Sequence, residues 1–99
     1  MTLRVKVSAR AASQIHKAAE WWVENRPTAP GAVRTDIGEA LALLAQQPGI
    51  GTAYEGTRTK GVRRLLVGRI RYLIYYRVTP ETLDVLTVWH VSRGKQPSL

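Results

Sequence analysis

Few side chains in this chain of 99 residues could do chemistry: His90 could serve as acid or base, with Arg71, Arg93 or Lys95 as phosphate clamps. An imidazole titrates near neutral pH, and guanidinium or ammonium groups hold phosphate oxygens. Metal-free cleavage of RNA needs such a set: a base for the ribose 2′-hydroxyl, an acid for the leaving oxygen, and cations to balance charge on the phosphate. The plainer reading is that His90 ends a strand and hydrogen-bonds a neighbour. Other chemistries are poorly provided for. Cysteine is absent, and His16 and His90 form neither an H-x-x-x-H nor an H-E-x-x-H arrangement, so no metal site is expected. Ser8, Ser13, Ser92 and Ser98 lie outside any G-x-S-x-G context, and the aspartates are Asp36 and Asp84, which leaves Ser-His-Asp catalysis without support. The glycine-rich stretch 49–60, GIGTAYEGTRTK, lacks G-x-x-x-x-G-K-[ST], so no cofactor is implied.

Charge narrows the partners. The net charge is +8, and it is unevenly spread: residues 1–57 hold six Lys/Arg against five Asp/Glu, whereas 58–99 hold nine against two. The first part carries +1 and the second +7. Arginine outnumbers lysine eleven to four, and arginine suits bidentate contacts to phosphate or carboxylate. Such asymmetry points to an anionic partner, either nucleic acid or an acidic protein segment, with a solvated surface as the bland alternative. No window approaches the ~18 uninterrupted apolar residues of a membrane span. MTLRVKVSAR has no secretory h-region, and without cysteine there is no disulfide framework, so a cytoplasmic location is expected. At this length one domain, residues 1–99, is expected.

The elements that must position these groups follow from periodicity. Leu3, Val5 and Val7 alternate with Arg4 and Lys6, predicting a strand over 2–7. Ser8 can cap a helix whose stripe is Ala11, Ile15, Ala18 and Trp22 and which stops near Asn25, before Pro27. Pro30 is placed to open a second helix with Val33, Ile37, Ala40, Leu41 and Leu44 inward, ended by Pro48-Gly49. Gly38 within it suggests close approach to a neighbour, since it costs about 1 kcal/mol relative to Ala. Three strands follow at 61–67, 69–78 and 82–90, joined by Gly68 and by residues 79–81, and such short connections imply antiparallel neighbours. On the middle strand Ile70, Tyr72, Ile74, Tyr76 and Val78 share one face, and Arg69, Arg71, Leu73, Tyr75 and Arg77 the other. That second face reads as a plausible nucleic-acid surface. The class is α+β, with a helical hairpin packed on one face of an antiparallel sheet. Trp22 and Trp89 read as core, Trp89 on the face of Leu83, Val85 and Thr87; Trp21 reads as core rim or partner surface.

At these residues the chain resembles the RelE/ParE superfamily of bacterial toxins from type II toxin–antitoxin systems. The resemblance covers almost the whole chain: Trp21-Trp22, the Asn25-Arg26-Pro27 turn, Leu44 followed by Pro48 and Gly51, the 69–78 strand with Tyr75-Tyr76-Arg77-Val78, and Trp89-His90-Val91-Ser92-Arg93-Gly94. It implies a strand, a helical hairpin and three further strands. It also implies one of two activities, because RelE-like members cut mRNA on the ribosome and ParE-like members poison DNA gyrase. The nuclease branch carries an arginine where this chain has Leu73, and a tyrosine near the C-terminus, whereas no tyrosine follows Tyr76 here. Arg63 and Arg64 fall near basic positions of that branch, so the departure is incomplete.

The resemblance therefore favours a ParE-like toxin that inhibits gyrase by binding, with growth inhibition and plasmid stabilization as its setting. A cognate antitoxin would neutralise it in a hetero-oligomer by laying a helix or extended segment over sheet and hairpin, its acidic groups meeting the +7 half. Partner-binding is expected of Arg63, Arg64, Arg69, Arg71, His90, Arg93 and Lys95. The alternative is a ribosome-dependent mRNA endonuclease using Arg71, His90 and Arg93. A third reading is a domain that only binds its antitoxin or DNA.

Overall fold

A computed structural model describes residues 2–93 and 97–99. Ser8 joins the first two elements, standing between strand β1 (Arg4–Val7) and helix α1 (Ala9–Asn25). Its Oγ accepts the Ala11 amide at 3.0 Å and donates to the Leu86 carbonyl at 3.0 Å, while its own amide donates to the Val85 carbonyl. The expected cap thus also ties the helix start to the last strand; such a cap is worth about 1 kcal/mol. Helix α1 ends where the Arg26 amide reaches back to the Trp22 carbonyl at 2.8 Å, and Pro27 follows.

Helix α2 (Ala32–Gln46) starts at Ala32, with Gly31 as its cap, and not at Pro30. The reason is a pair of turn bonds, Ala29 to the Arg26 carbonyl and Ala32 to the Ala29 carbonyl, which carry the chain through Pro30 before helical winding begins. Gly38 is exposed and has nothing within 4 Å of where a Cβ would sit, so it marks no close approach. The glycine that does is Gly51: a Cβ there would sit 2.9 Å from the Arg64 carbonyl oxygen and collide with the Tyr76 hydroxyl. That hydroxyl accepts the Gly51 amide at 3.0 Å and donates to the Pro48 carbonyl at 2.8 Å. The Pro48 to Gly51 segment is therefore folded around one buried phenol.

The loop expected at 49–60 contains a short edge strand, β2 (Thr52–Ala53), which precedes β3 (Val62–Val67), β4 (Tyr72–Val78) and β5 (Thr82–His90). The five-stranded sheet has the order β1-β5-β4-β3-β2. β3, β4 and β5 are antiparallel neighbours as expected, β2 pairs antiparallel with β3, and β1 lies parallel to β5. Gly68 alone does not connect β3 to β4. A hairpin needs a loop of about two residues or more, and here Val67 pairs with Tyr72 across residues 68–71. Arg69 and Arg71 consequently sit in the turn, off the strand face expected for them, with Arg71 in the left-handed region at φ 61°.

Both helices cover one face of the sheet. Ala11, Ala18, Val33, Ile37 and Leu44 meet Ile70, Ile74, Tyr76, Leu83, Val85 and Val88 there. The opposite face is also apolar, carrying Tyr54, Val62, Tyr75 and Trp89 with Leu73, Leu86 and Leu99 against them. Trp89 belongs to this second cluster, not to the face of Leu83 and Val85. Tyr75 pairs with Thr87 but Tyr76 with Val85, which leaves Leu86 as an extra residue. A bulge of one residue reverses which side chains point to each face beyond it. No helix among the described residues is long and apolar enough to cross a membrane.

Candidate functional site

Helix α1 presents Gln14, Lys17, Trp21 and Trp22 along one side toward the end of the sheet where β4 begins and β5 finishes. Tyr72 and His90 are paired there, their rings edge-to-face with centroids 4.9 Å apart. Helix, strand ends and Arg93 enclose a cleft with two adjoining lobes that share Trp21, Tyr72 and His90. One lobe, of about 400 Å³, reaches Gln14, Lys17 and Arg93; the other, of about 340 Å³, reaches Trp22 and Arg26. Both volumes fall in the range of small-ligand sites.

The bulge explains how the cleft holds its shape. Gln14 Oε1 accepts the Thr87 hydroxyl and the Val88 amide, each at 2.8 Å, just past the irregularity at Leu86. Thr87 is fully buried, and one side-chain oxygen thus pins α1 to β5 while satisfying two buried donors. At the other end Arg26 stands 5.1 Å from the Trp21 ring centroid and 5.7 Å from that of Trp22, and Asn25 donates to the Trp21 carbonyl at 2.8 Å. The two indoles meet edge-on at 6.1 Å. Trp22 packs against the core, as expected, yet its indole N–H is buried without a hydrogen-bond partner among the described residues. Trp21 is 50% exposed. Burial pushes the Tyr72 phenol above its ordinary value, and the positive charge of Arg93 partly offsets this.

The hydrogen bonds of His90 define what it can do. The Ser92 amide donates to Nδ1 at 3.1 Å, and the Ser92 hydroxyl lies 2.6 Å from the same nitrogen. An amide N–H can only donate, so Nδ1 is the acceptor and the neutral ring carries its proton on Nε2. His90 then offers a donor at Nε2, where a general base would need a lone pair. Arg93 stands 4.2 Å from the Trp89 ring centroid, and the Val91 amide donates to the Arg71 carbonyl at 3.0 Å. Arg71, His90 and Arg93 therefore share one end of the sheet, with Arg71 on its exposed turn.

The other basic residues expected to bind partners are elsewhere. Arg63 donates to the carbonyls of Gly49 and Gly51, and its buried Nε has no partner among the described residues. Arg64 donates to the Tyr75 hydroxyl at 3.3 Å and lies 5.1 Å from the Tyr54 ring centroid. Arg69 forms a two-pronged pair with Asp36 of α2, which raises the arginine pKa further. Lys95 lies outside the described residues. Gln14, Lys17, Trp21, Arg26 and Tyr72 complete the cleft, and sequence reasoning had not assembled them; the i, i+3, i+7 spacing of Gln14, Lys17 and Trp21 is the signal that could have. Among the described residues no three His, Cys, Asp or Glu group as metal ligands would.

A second hollow, of about 410 Å³, lies between α2 and β3 and is lined by Ala40, Leu43, Leu65, Leu66 and Val67, with Glu39 and the Asp36 and Arg69 pair also on its wall. Strand β2 pairs only with Arg63 and Arg64, so the outer edge of β3 from Leu65 onward has no strand neighbour among the described residues. Leu66 is 55% exposed. An open strand edge beside an apolar groove is where an extended or helical segment of another chain can add.

A five-stranded sheet covered on one face by a helical hairpin, with a hollow at each flank, defines a small α+β fold. The chain belongs to the ParE toxin family of type II toxin–antitoxin systems (parDE), which its sequence matches over residues 5–94. It is 30% identical over 87 residues to the protein named "Putative toxin Y4kP" of Sinorhizobium fredii (strain NBRC 101917 / NGR234), covering 88% of this chain and 86% of that one. Its fold is similar to a solved chain from "Chromosomal ParDE TA system from P. aeruginosa", with a TM-score of 0.73 at 24% identity over 92% of this chain and 98% of the other.

Proposed function

We propose that this ParE-type toxin inhibits DNA gyrase in the cytoplasm by binding to it, and that a cognate antitoxin neutralises it. The observation that carries a binding mode is the dispersal of the cations. A phosphoryl-cleaving site directs several cations at one phosphate, but Arg63, Arg64 and Arg69 are each held by a different internal partner. The antitoxin is assigned to the aliphatic hollow and the open edge of β3, where a strand or helix of another chain gains both apolar burial and backbone hydrogen bonds.

Supercoiling by purified gyrase is the test, with the chain added in excess. Inhibition or trapped DNA cleavage is expected, and unimpaired supercoiling would count against the proposal. The gathering of Arg71, His90 and Arg93 at one end of the sheet favours the second reading, an mRNA endonuclease on the ribosome. That reading requires transcript cleavage in cells expressing the chain, abolished by His90→Ala and Arg71→Ala.

A further inference from the structure

The ring-lined cleft beside α1 has a chemistry of its own. Its apolar walls are aromatic faces and edges: Trp21 is half exposed, and Tyr72 and His90 stand edge-to-face opposite it. Lys17 and Arg93 border one lobe and Arg26 the other, and among the described residues none of the three is ion-paired. Planar apolar surface and flanking cations together fit a flat ring that carries an anion. We propose that this cleft takes an unpaired nucleobase of a single-stranded nucleic acid, the base stacking on Trp21 and Tyr72 and its phosphates meeting Lys17 and Arg93.

An acidic protein segment would satisfy the cations but would leave the aromatic faces without a flat partner. The aliphatic hollow on the far side of the hairpin suits a protein better. A base in a duplex is already stacked on both faces, so only an unpaired one can enter. Base stacking and phosphate contacts are common to DNA and RNA strands, so the two share the chemistry the cleft recognises. The site does not depend on gyrase being the toxin's target.

The test is fluorescence anisotropy of a short fluorescein-labelled single strand of mixed sequence, titrated with the full chain at fixed salt. The same backbone without bases, the matching duplex and the RNA strand are run beside it. Stacking makes the intact strand bind about tenfold or more tighter than the abasic strand of equal charge, and tighter than the duplex. Trp21→Ala removes about a tenfold margin, Trp21→Phe keeps most of it, and Arg93→Gln weakens every strand and flattens the salt dependence. A preference for DNA or for RNA names the source, and either supports the site. Equal affinity for abasic and intact strands, or no effect of Trp21→Ala with the fold intact by circular dichroism, would overturn it. So would binding of polyglutamate that is lost in Trp21→Ala while the single strand is indifferent to that change. Gyrase and antitoxin are absent from the assay, so its failure leaves the function proposed above standing, and the reverse holds too.

Discussion

The hollow between α2 and β3 and the cleft between α1 and the β4 and β5 ends are of similar size but opposite character. The first is walled by Ala40, Leu43, Leu65, Leu66 and Val67 and borders an open strand edge, and its Arg69 is neutralised by Asp36. The second is walled by Trp21, Tyr72 and His90, lies beside the part of β5 past Val85 that β1 leaves unpaired, where Gln14 takes the Val88 amide, and keeps Lys17, Arg26 and Arg93 without an ion pair among the described residues. Aliphatic walls and free backbone groups reward a polypeptide, whereas rings and uncompensated cations reward a planar anion. A net charge of +8 alone would have assigned every basic residue to one surface. Arg69 on the first flank is met by an acid, whereas Lys17, Arg26 and Arg93 on the second have no acidic partner among the described residues.

The largest effect expected on this arrangement comes from Gly51→Val. A branched side chain would strike the Tyr76 hydroxyl and the Arg64 carbonyl, costing about 3 kcal/mol by overpacking and releasing the segment that carries β2. Urea unfolding would show the midpoint fall, and the freed edge of β3 would raise self-association in light scattering. Next is Gln14→Leu, which breaks the ring-lined cleft alone. It strands the Thr87 hydroxyl and the Val88 amide, costing about 2 kcal/mol for buried groups left unsatisfied, while antitoxin affinity of the folded fraction stays unchanged. Loss of both functions in a folded Gln14→Leu protein would mean the two flanks are not separable.

The helices and most strands were legible because period 3.6 and period 2 are local properties of the chain. Ser8 as cap and the Ala11 to Trp22 stripe needed no knowledge of the partner elements. What was not legible depends on distant residues. The bulge at Leu86 is a property of a strand pair, and it moved Trp89 to the opposite face. The two-residue strand β2 has too little sequence for any period. Charge was visible and its compensation was not: Arg69 finds Asp36 33 positions away, and Arg63 finds carbonyls rather than an acid. His90 and Arg93 were legible as site residues from their types, but the cleft around them forms only when Gln14 closes α1 onto β5.

Leu66→Lys tests the aliphatic flank at little cost to folding. The side chain is mostly exposed, so stability should change by no more than about 0.5 kcal/mol. A charge placed in a partner's apolar footprint should still weaken antitoxin binding about tenfold or more, read by calorimetry with the purified pair. Trp21→Ala should leave that affinity as it was. If Trp21→Ala weakens the antitoxin as much as Leu66→Lys does, the partner spans both flanks and the division between them is lost.

The smallest effect separates the flanks by proton. Burial raises the folded-state value for the Tyr72 phenol above its ordinary 10.0, so above that pH the unfolded chain releases this proton while the folded one retains it. Unfolded protein then binds fewer protons than folded protein, and stability contributed by Tyr72 is present below pH 10 and declines as pH rises toward the folded value. Tyr72→Phe should remove that alkaline decline. Because Arg93 pulls the phenol down, Arg93→Gln should push it higher still, displacing its phenolate absorbance to higher pH in a difference titration against Tyr72→Phe. Leu66→Lys should not move it, being on the other flank. A phenolate transition that ignored Arg93→Gln would mean that the cation does not face the cleft in solution, and the charge half of the contrast between the two flanks would have to be given up.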